Sequence, residues 1–148
     1  MKLFQAIGVA AGILLSAQAA AECEFAVEVG DTIKFNVSTI EAPASCESVT
    51  INLTHTGNMA ANLMGHNWVL TEDANVQPVA TAGMAAGVDG SYLPAGDARV
   101  LAATKLIGGG ESASVTFSPG DLDASKSYTF FCSFPGHWAV MRGQFKLI

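Results

Sequence analysis

Hydrophobic and polar residues alternate in short runs along most of this chain. Ile33-Lys34-Phe35-Asn36-Val37 and Val49-Thr50-Ile51-Asn52-Leu53 place apolar side chains at every second position, the period of a strand with one buried face. Val115-Thr116-Phe117, Tyr128-Thr129-Phe130-Phe131 and Gly143-Gln144-Phe145-Lys146-Leu147 continue the pattern. Turn-forming residues at Gly57-Asn58, Gly108-Gly109-Gly110 and Ser118-Pro119-Gly120 divide these runs. The pattern therefore predicts an all-β, antiparallel sandwich or barrel. From Ala74 to Val88 the chain is rich in Ala, Met and Gly instead. That stretch reads as a short helix or flap, weakened by Gly83 and Gly87.

The N-terminus follows another rule. Met1-Lys2 opens an apolar run through Leu15, followed by Ser16-Ala17-Gln18-Ala19-Ala20 and the first acidic residue, Glu22. This is the layout of a secretory signal peptide, with an apolar stretch shorter than the roughly 20 residues that cross a membrane. Residues 1–20 are expected to be removed, with the cut within one or two residues of Ala20, leaving 21–148 as a single domain without a membrane anchor. Without Lys2, six basic side chains face thirteen acidic ones. An acidic surface with no Lys/Arg cluster argues against nucleic acid or anionic membrane as partner.

Cysteine usage sharpens the picture, because an exported chain with three cysteines leaves one without a partner. Cys132 sits among other potential metal ligands, which points to Cys23 and Cys46 as the pair; three reduced thiols are the alternative. The chemistry concentrates in Cys132-Ser133-Phe134-Pro135-Gly136-His137-Trp138-Ala139-Val140-Met141, a C-x4-H-x3-M motif. A strand ending at Cys132, a turn at Pro135-Gly136 and a strand beginning near Met141 would gather the three side chains around one point. A second imidazole has to come from elsewhere, and Gly65-His66-Asn67 is the candidate. A thiolate and a thioether beside two imidazoles suit copper, with His66, Cys132 and His137 in a trigonal plane and Met141 as a weak axial ligand. Zinc is the competitor, but structural zinc sites rarely use methionine and zinc carries no redox chemistry.

These motifs resemble the azurins, bacterial periplasmic members of the cupredoxin family. Ala21-Glu22-Cys23, Met64-Gly65-His66-Asn67-Trp68-Val69-Leu70, Thr104-Lys105-Leu106-Ile107-Gly108 and Phe131-Cys132-Ser133-Phe134-Pro135-Gly136-His137 carry the likeness. The resemblance implies a Greek-key β-sandwich of about eight strands with a helical flap. It also implies the Cys23–Cys46 disulfide and a distant axial contact from the Gly65 carbonyl. The implied function is electron transfer by a type 1 copper site, one ion per chain, in a periplasmic, monomeric protein that is not an enzyme. Partners of that kind are c-type cytochromes and periplasmic reductases or dehydrogenases. They would dock on an apolar ring of Met64, Phe134, Trp138 and Ala139 around His137, with Trp138 equally able to pack inward.

Asn67 is expected beside the site, tying the two ligand loops together and directing hydrogen bonds toward the Cys132 sulfur. His55 is expected to be a hydrogen-bonded neighbour of the metal, Trp68 a core residue, and Met59 and Met84 packing or surface residues. Ala103 replaces a histidine found at that position in some relatives, so surface chemistry tied to it does not carry over. Three rival functions stay open. A cysteine hydrolase built on Cys132 and His137 would leave Met141 unexplained. A multi-copper oxidase or nitrite reductase would need more histidines than the one left over, His55. A copper storage or delivery protein would favour exposed, exchangeable ligands.

Overall fold

A computed structural model describes residues 22–148; the expected signal segment, 1–20, lies outside the described residues. Eight strands form two sheets. β1 (Glu24–Val29), β3 (Val49–His55) and β6 (Ser112–Phe117) make the smaller one, in the order β1-β3-β6. The larger holds β2 (Thr39–Ala42), β8 (Arg142–Leu147), β7 (Tyr128–Phe131), β4 (Val69–Glu72) and β5 (Ala102–Ala103), in the order β2-β8-β7-β4-β5. Pairing is mixed rather than purely antiparallel, because β1 runs parallel to β3 and β2 parallel to β8.

Alternation explains most of these strands. In β3, Val49, Ile51 and Leu53 are fully buried while Thr54 faces solvent, and β8 likewise turns Phe145 inward. The expected strand at Ile33–Val37 is absent. Phe35 is buried, but Ile33 is exposed, and the Asn36 side chain accepts the Glu28 N–H at 2.8 Å while the Asn36 N–H donates to the Glu28 carbonyl. That side chain occupies a backbone donor a ladder would need, so pairing stops after one residue. Strand structure resumes only at β2.

β4 and β7 are buried on both faces, which positions the site. Trp68 and Leu70 face the main core, where Trp68 packs against Phe117, Phe130 and Phe145. Val69 and Phe131 face the other way, into a second cluster with Val76, Val79 and Ala80. The last three belong to α2 (Val76–Gly83), which lies between two 3-10 turns, Asp73–Asn75 and Met84–Ala86. This is the helical flap anticipated from 74 to 88. A single-turn helix, α1 (Ala61–Met64), precedes β4. Cys23 and Cys46 form the disulfide, with Cα atoms 5.9 Å apart. Among the described residues no helix is long and apolar enough to cross a membrane.

Candidate metal centre

Three chain segments meet where β7 ends. Cys132 follows β7, and its N–H donates to the Met141 carbonyl at 3.1 Å. Between them the motif folds in two steps. His137 N–H donates to the Phe134 carbonyl at 2.9 Å, and Gly136 has φ of +82°. Proline at the second position, glycine at the third and a positive φ there make a type II turn. Met141 N–H then donates to the His137 carbonyl at 2.8 Å, one helical turn that brings residue 141 back beneath residue 137. Met141 is fully buried.

His66 arrives from the other side, between α1 and β4. Its backbone bridges Ile107 through two hydrogen bonds of 3.0 and 2.8 Å. Gly65, just before it, packs so tightly that a Cβ would collide with the Ala61 carbonyl and the Leu106 side chain. The imidazole orientation is fixed by its far nitrogen. Nε2 lies 2.8 Å from the Gly30 carbonyl, which only accepts, so Nε2 carries the proton and Nδ1 is left as a lone pair.

The result is a buried triangle. Cys132 Sγ lies 3.7 Å from His66 Nδ1 and 3.6 Å from His137 Nδ1, and all three atoms fall within 4.8 Å of one another. Burial holds both imidazoles below their ordinary range, His137 to about 4, so both are neutral at pH 7 with lone pairs free. Burial also pushes the Cys132 thiol up to about 12, against the backbone N–H groups of Asn67 and Phe134 that approach its sulfur.

The sequence profile of copper-binding proteins of the plastocyanin/azurin family matches residues 21–148. The azurin of Bordetella pertussis is 54% identical over 129 residues, covering 87% of this chain and 86% of that protein. The azurin of Pseudomonas fluorescens biotype C is 53% identical over 127 residues, covering 86% and 99%. An azurin structure, Az-iso2 from the obligate methylotroph Methylomonas sp. strain J, superposes with a TM-score of 0.83 at 47% identity, covering 86% of this chain and 99% of the other.

The chain belongs to the plastocyanin/azurin family. With the buried His66–Cys132–His137 cluster, that membership makes it a cupredoxin, a blue-copper electron-transfer protein with one copper site.

The donor set fits the ion. Bonds of about 2.0 Å from nitrogen and 2.3 Å from sulfur to a common centre put such atoms about 3.6–3.8 Å apart, the spacing found here. Two neutral imidazoles and a buried thiol, with no carboxylate among them, match a soft cation with a thiolate ligand.

Around this cupredoxin's triangle, the Asn67 side chain ties the two ligand loops together. Its Oδ1 accepts the Ser133 N–H at 2.8 Å, and its Nδ2 donates to Ser133 Oγ at 2.8 Å and to the Ser91 carbonyl at 2.9 Å. His55 stays out of the cluster. It stacks on His66 with centroids 5.1 Å apart, takes the Gly57 N–H on Nδ1 and places Nε2 3.0 Å from the Met64 carbonyl. Phe134 packs on the His137 ring at 4.6 Å, Met64 is half-buried and Ala139 exposed. Of the two orientations open for Trp138, the structure takes the inward one, half-buried against the flap cluster. Leu63 and Val140, 63% and 68% exposed, were not singled out from the sequence. Nor were Ser91 and the Gly30 carbonyl; contacts made by backbone oxygens leave no residue signature.

Proposed function

We propose that this chain shuttles single electrons between redox partners in the periplasm. His66, Cys132 and His137 are the close ligands in this reading, Met141 the weak axial one, and the Gly65 carbonyl a distant contact. The observation that carries it is the buried triangle of one sulfur and two nitrogens at 3.6 and 3.7 Å. Copper bound there would supply reversible one-electron exchange at a fixed position.

The chain's own part is to keep the ligands still. Gly30 holds the His66 ring, the type II turn sets His137, and the Cys132 N–H is tied to Met141. Asn67 fastens the segment after His66 to the one after Cys132. A site so braced changes charge with little movement. The N–H groups of Asn67 and Phe134 at the sulfur withdraw electron density from it, which favours the reduced state.

Docking would use the apolar surface around His137. Leu63, Met64, Phe134, Ala139 and Val140 supply it, with no charged side chain among them. Small apolar patches suit brief encounters in which the product complex must separate quickly. Trp138 drops out of this collar because its ring packs inward. Partners of the expected class are c-type cytochromes and periplasmic reductases or dehydrogenases, met by a monomer. The Cys23–Cys46 disulfide supports an oxidising compartment, and the 1–20 segment supports export.

Titration of the mature protein with Cu(II) should raise an intense blue band that saturates at one copper per chain and bleaches reversibly with reductant. Cys132→Ser should abolish the band, whereas Met141→Leu should keep it and shift the reduction potential. A folded parent protein that stays colourless, or a Cys132→Ser variant that stays blue, would overturn the reading.

A further inference from the structure

Two consecutive residues near the metal centre, Ser91 and Tyr92, adopt positive φ angles of 57° and 51°, although neither is glycine. L side chains rarely take this conformation, and they keep it only where surrounding contacts dictate it. Gly90, next to them, shows no such φ. The contacts that hold the outlier lead to the ligand loops. The Ser91 carbonyl accepts Asn67 Nδ2 at 2.9 Å and Ser133 Oγ at 3.3 Å. Ser91 Oγ accepts the Leu106 N–H at 2.9 Å, and the Tyr92 ring meets Phe134 edge-on with centroids 5.3 Å apart.

Asn67 directly follows His66, and Ser133 directly follows Cys132. The Ser91 carbonyl is thus the third corner of a closed triangle with Asn67 Nδ2 and Ser133 Oγ, whose own separation is 2.8 Å. Asn67 and Ser133 are buried, so a lost acceptor is not replaced by solvent. The backbone N–H groups that approach the Cys132 sulfur belong to Asn67 itself and to Phe134, the residue that follows Ser133.

We propose that Ser91 is a positioning residue for the metal centre: its left-handed backbone aims its carbonyl at the Asn67–Ser133 pair and thereby fixes the N–H groups that face the Cys132 sulfur. This rests on the electron-transfer reading above. If the carbonyl swings away, Asn67 Nδ2 loses one of its two acceptors and the segments after both ligands gain freedom. Donors drifting from the sulfur return electron density to it, which favours the oxidised state and lowers the potential.

The test compares Ser91→Val, Ser91→Ala and Ser91→Gly. Valine disfavours a positive φ most, alanine less, and glycine not at all. In the metal-free protein, hydrogen exchange of the Asn67 side-chain amide is read by NMR. In the copper-loaded protein, the reduction potential and the energy of the blue band are read. Exchange should quicken by about tenfold in Ser91→Val, the order expected for loss of one buried hydrogen bond, and the potential should fall with it. Ser91→Ala should follow in the same direction by less, and serves if the valine variant does not fold. Ser91→Gly should move both far less than either. Folded variants that match the parent in exchange and potential, or a glycine variant that shifts as much as valine, overturn the proposal. Failure of the function itself shows separately, as a parent protein without a blue band, while the exchange measurement needs no copper.

Discussion

Asp31 shows how a single exposed side chain steadies ground next to the metal. Its carboxylate accepts the N–H groups of Asn58, at 3.1 and 2.9 Å, and of Met59, at 3.0 Å. Those bonds pin the turn that follows His55, the imidazole stacked on His66. They hold the Asp31 carboxyl below its ordinary range, the Asn58 N–H first and the Met59 N–H next. A lowered folded-state value means that the contribution is present above the unfolded value, about 3.9, and fades as pH falls through the folded one. Amide exchange at Asn58 and Met59 should therefore accelerate as pH drops below about 4, beyond the intrinsic pH trend, and Asp31→Asn should remove that extra dependence. Identical pH profiles in the two proteins would show that Asp31 does not hold the turn. At this scale the ligand motif was legible because Cys132, His137 and Met141 lie close together and Pro135-Gly136 names its own turn. Ser91 was not, since it acts through a carbonyl every residue possesses.

The flap is the element whose role the sequence left open. Its composition announced a helix, and α2 with its flanking 3-10 turns occupies that stretch. What it covers could not be read from local pattern. Val69 and Phe131 sit at the outward phase of β4 and β7, where the cluster they form with α2 buries them. Trp138 completes that cluster from the ligand loop, so the flap and the loop share an interface. Trp138→Ser should lower the stability of the metal-free protein by about 1–3 kcal/mol, less than the roughly 3–5 kcal/mol of a fully buried tryptophan truncation. The denaturant midpoint reads this, and an unchanged midpoint would mean the ring contributes nothing there. Alternation alone did not decide which runs become strands. Phe25-Ala26-Val27-Glu28-Val29 alternates as well as Ile33–Val37 does, yet only the former finds a ladder, because Asn36 diverts the Glu28 amide.

Across the whole molecule, register separates two poles. β1 and β3 run in parallel from Glu24↔Thr50 to Val29↔His55. Cys23 and Cys46 precede their starting ends, while His55 and the metal cluster lie at their finishing ends. The disulfide therefore braces the pole away from the site. Removing it as Cys23→Ala with Cys46→Ala should cost about 3 kcal/mol, the chain-entropy value for a loop of this size. The blue band and copper stoichiometry should stay as in the parent; a lost band would show that the far pole shapes the site after all. Parallel pairing also explains what one-dimensional pattern missed, since periodicity tells which face is buried but not the direction of a strand's neighbour.

The two tryptophans occupy contrasting surroundings, and light can tell them apart. Trp68 is fully buried among aromatic rings, and its Nε1 has no hydrogen-bond partner among the described residues, so its surroundings are apolar. Its fluorescence belongs at the blue edge of indole emission and reports whether the core is closed. Trp138 is half-buried and adjoins His137, so its emission lies further to the red and is exposed to quenching by a metal held next door. The chain thus carries one gauge of folding and another of loading, distinguishable by wavelength without any added label.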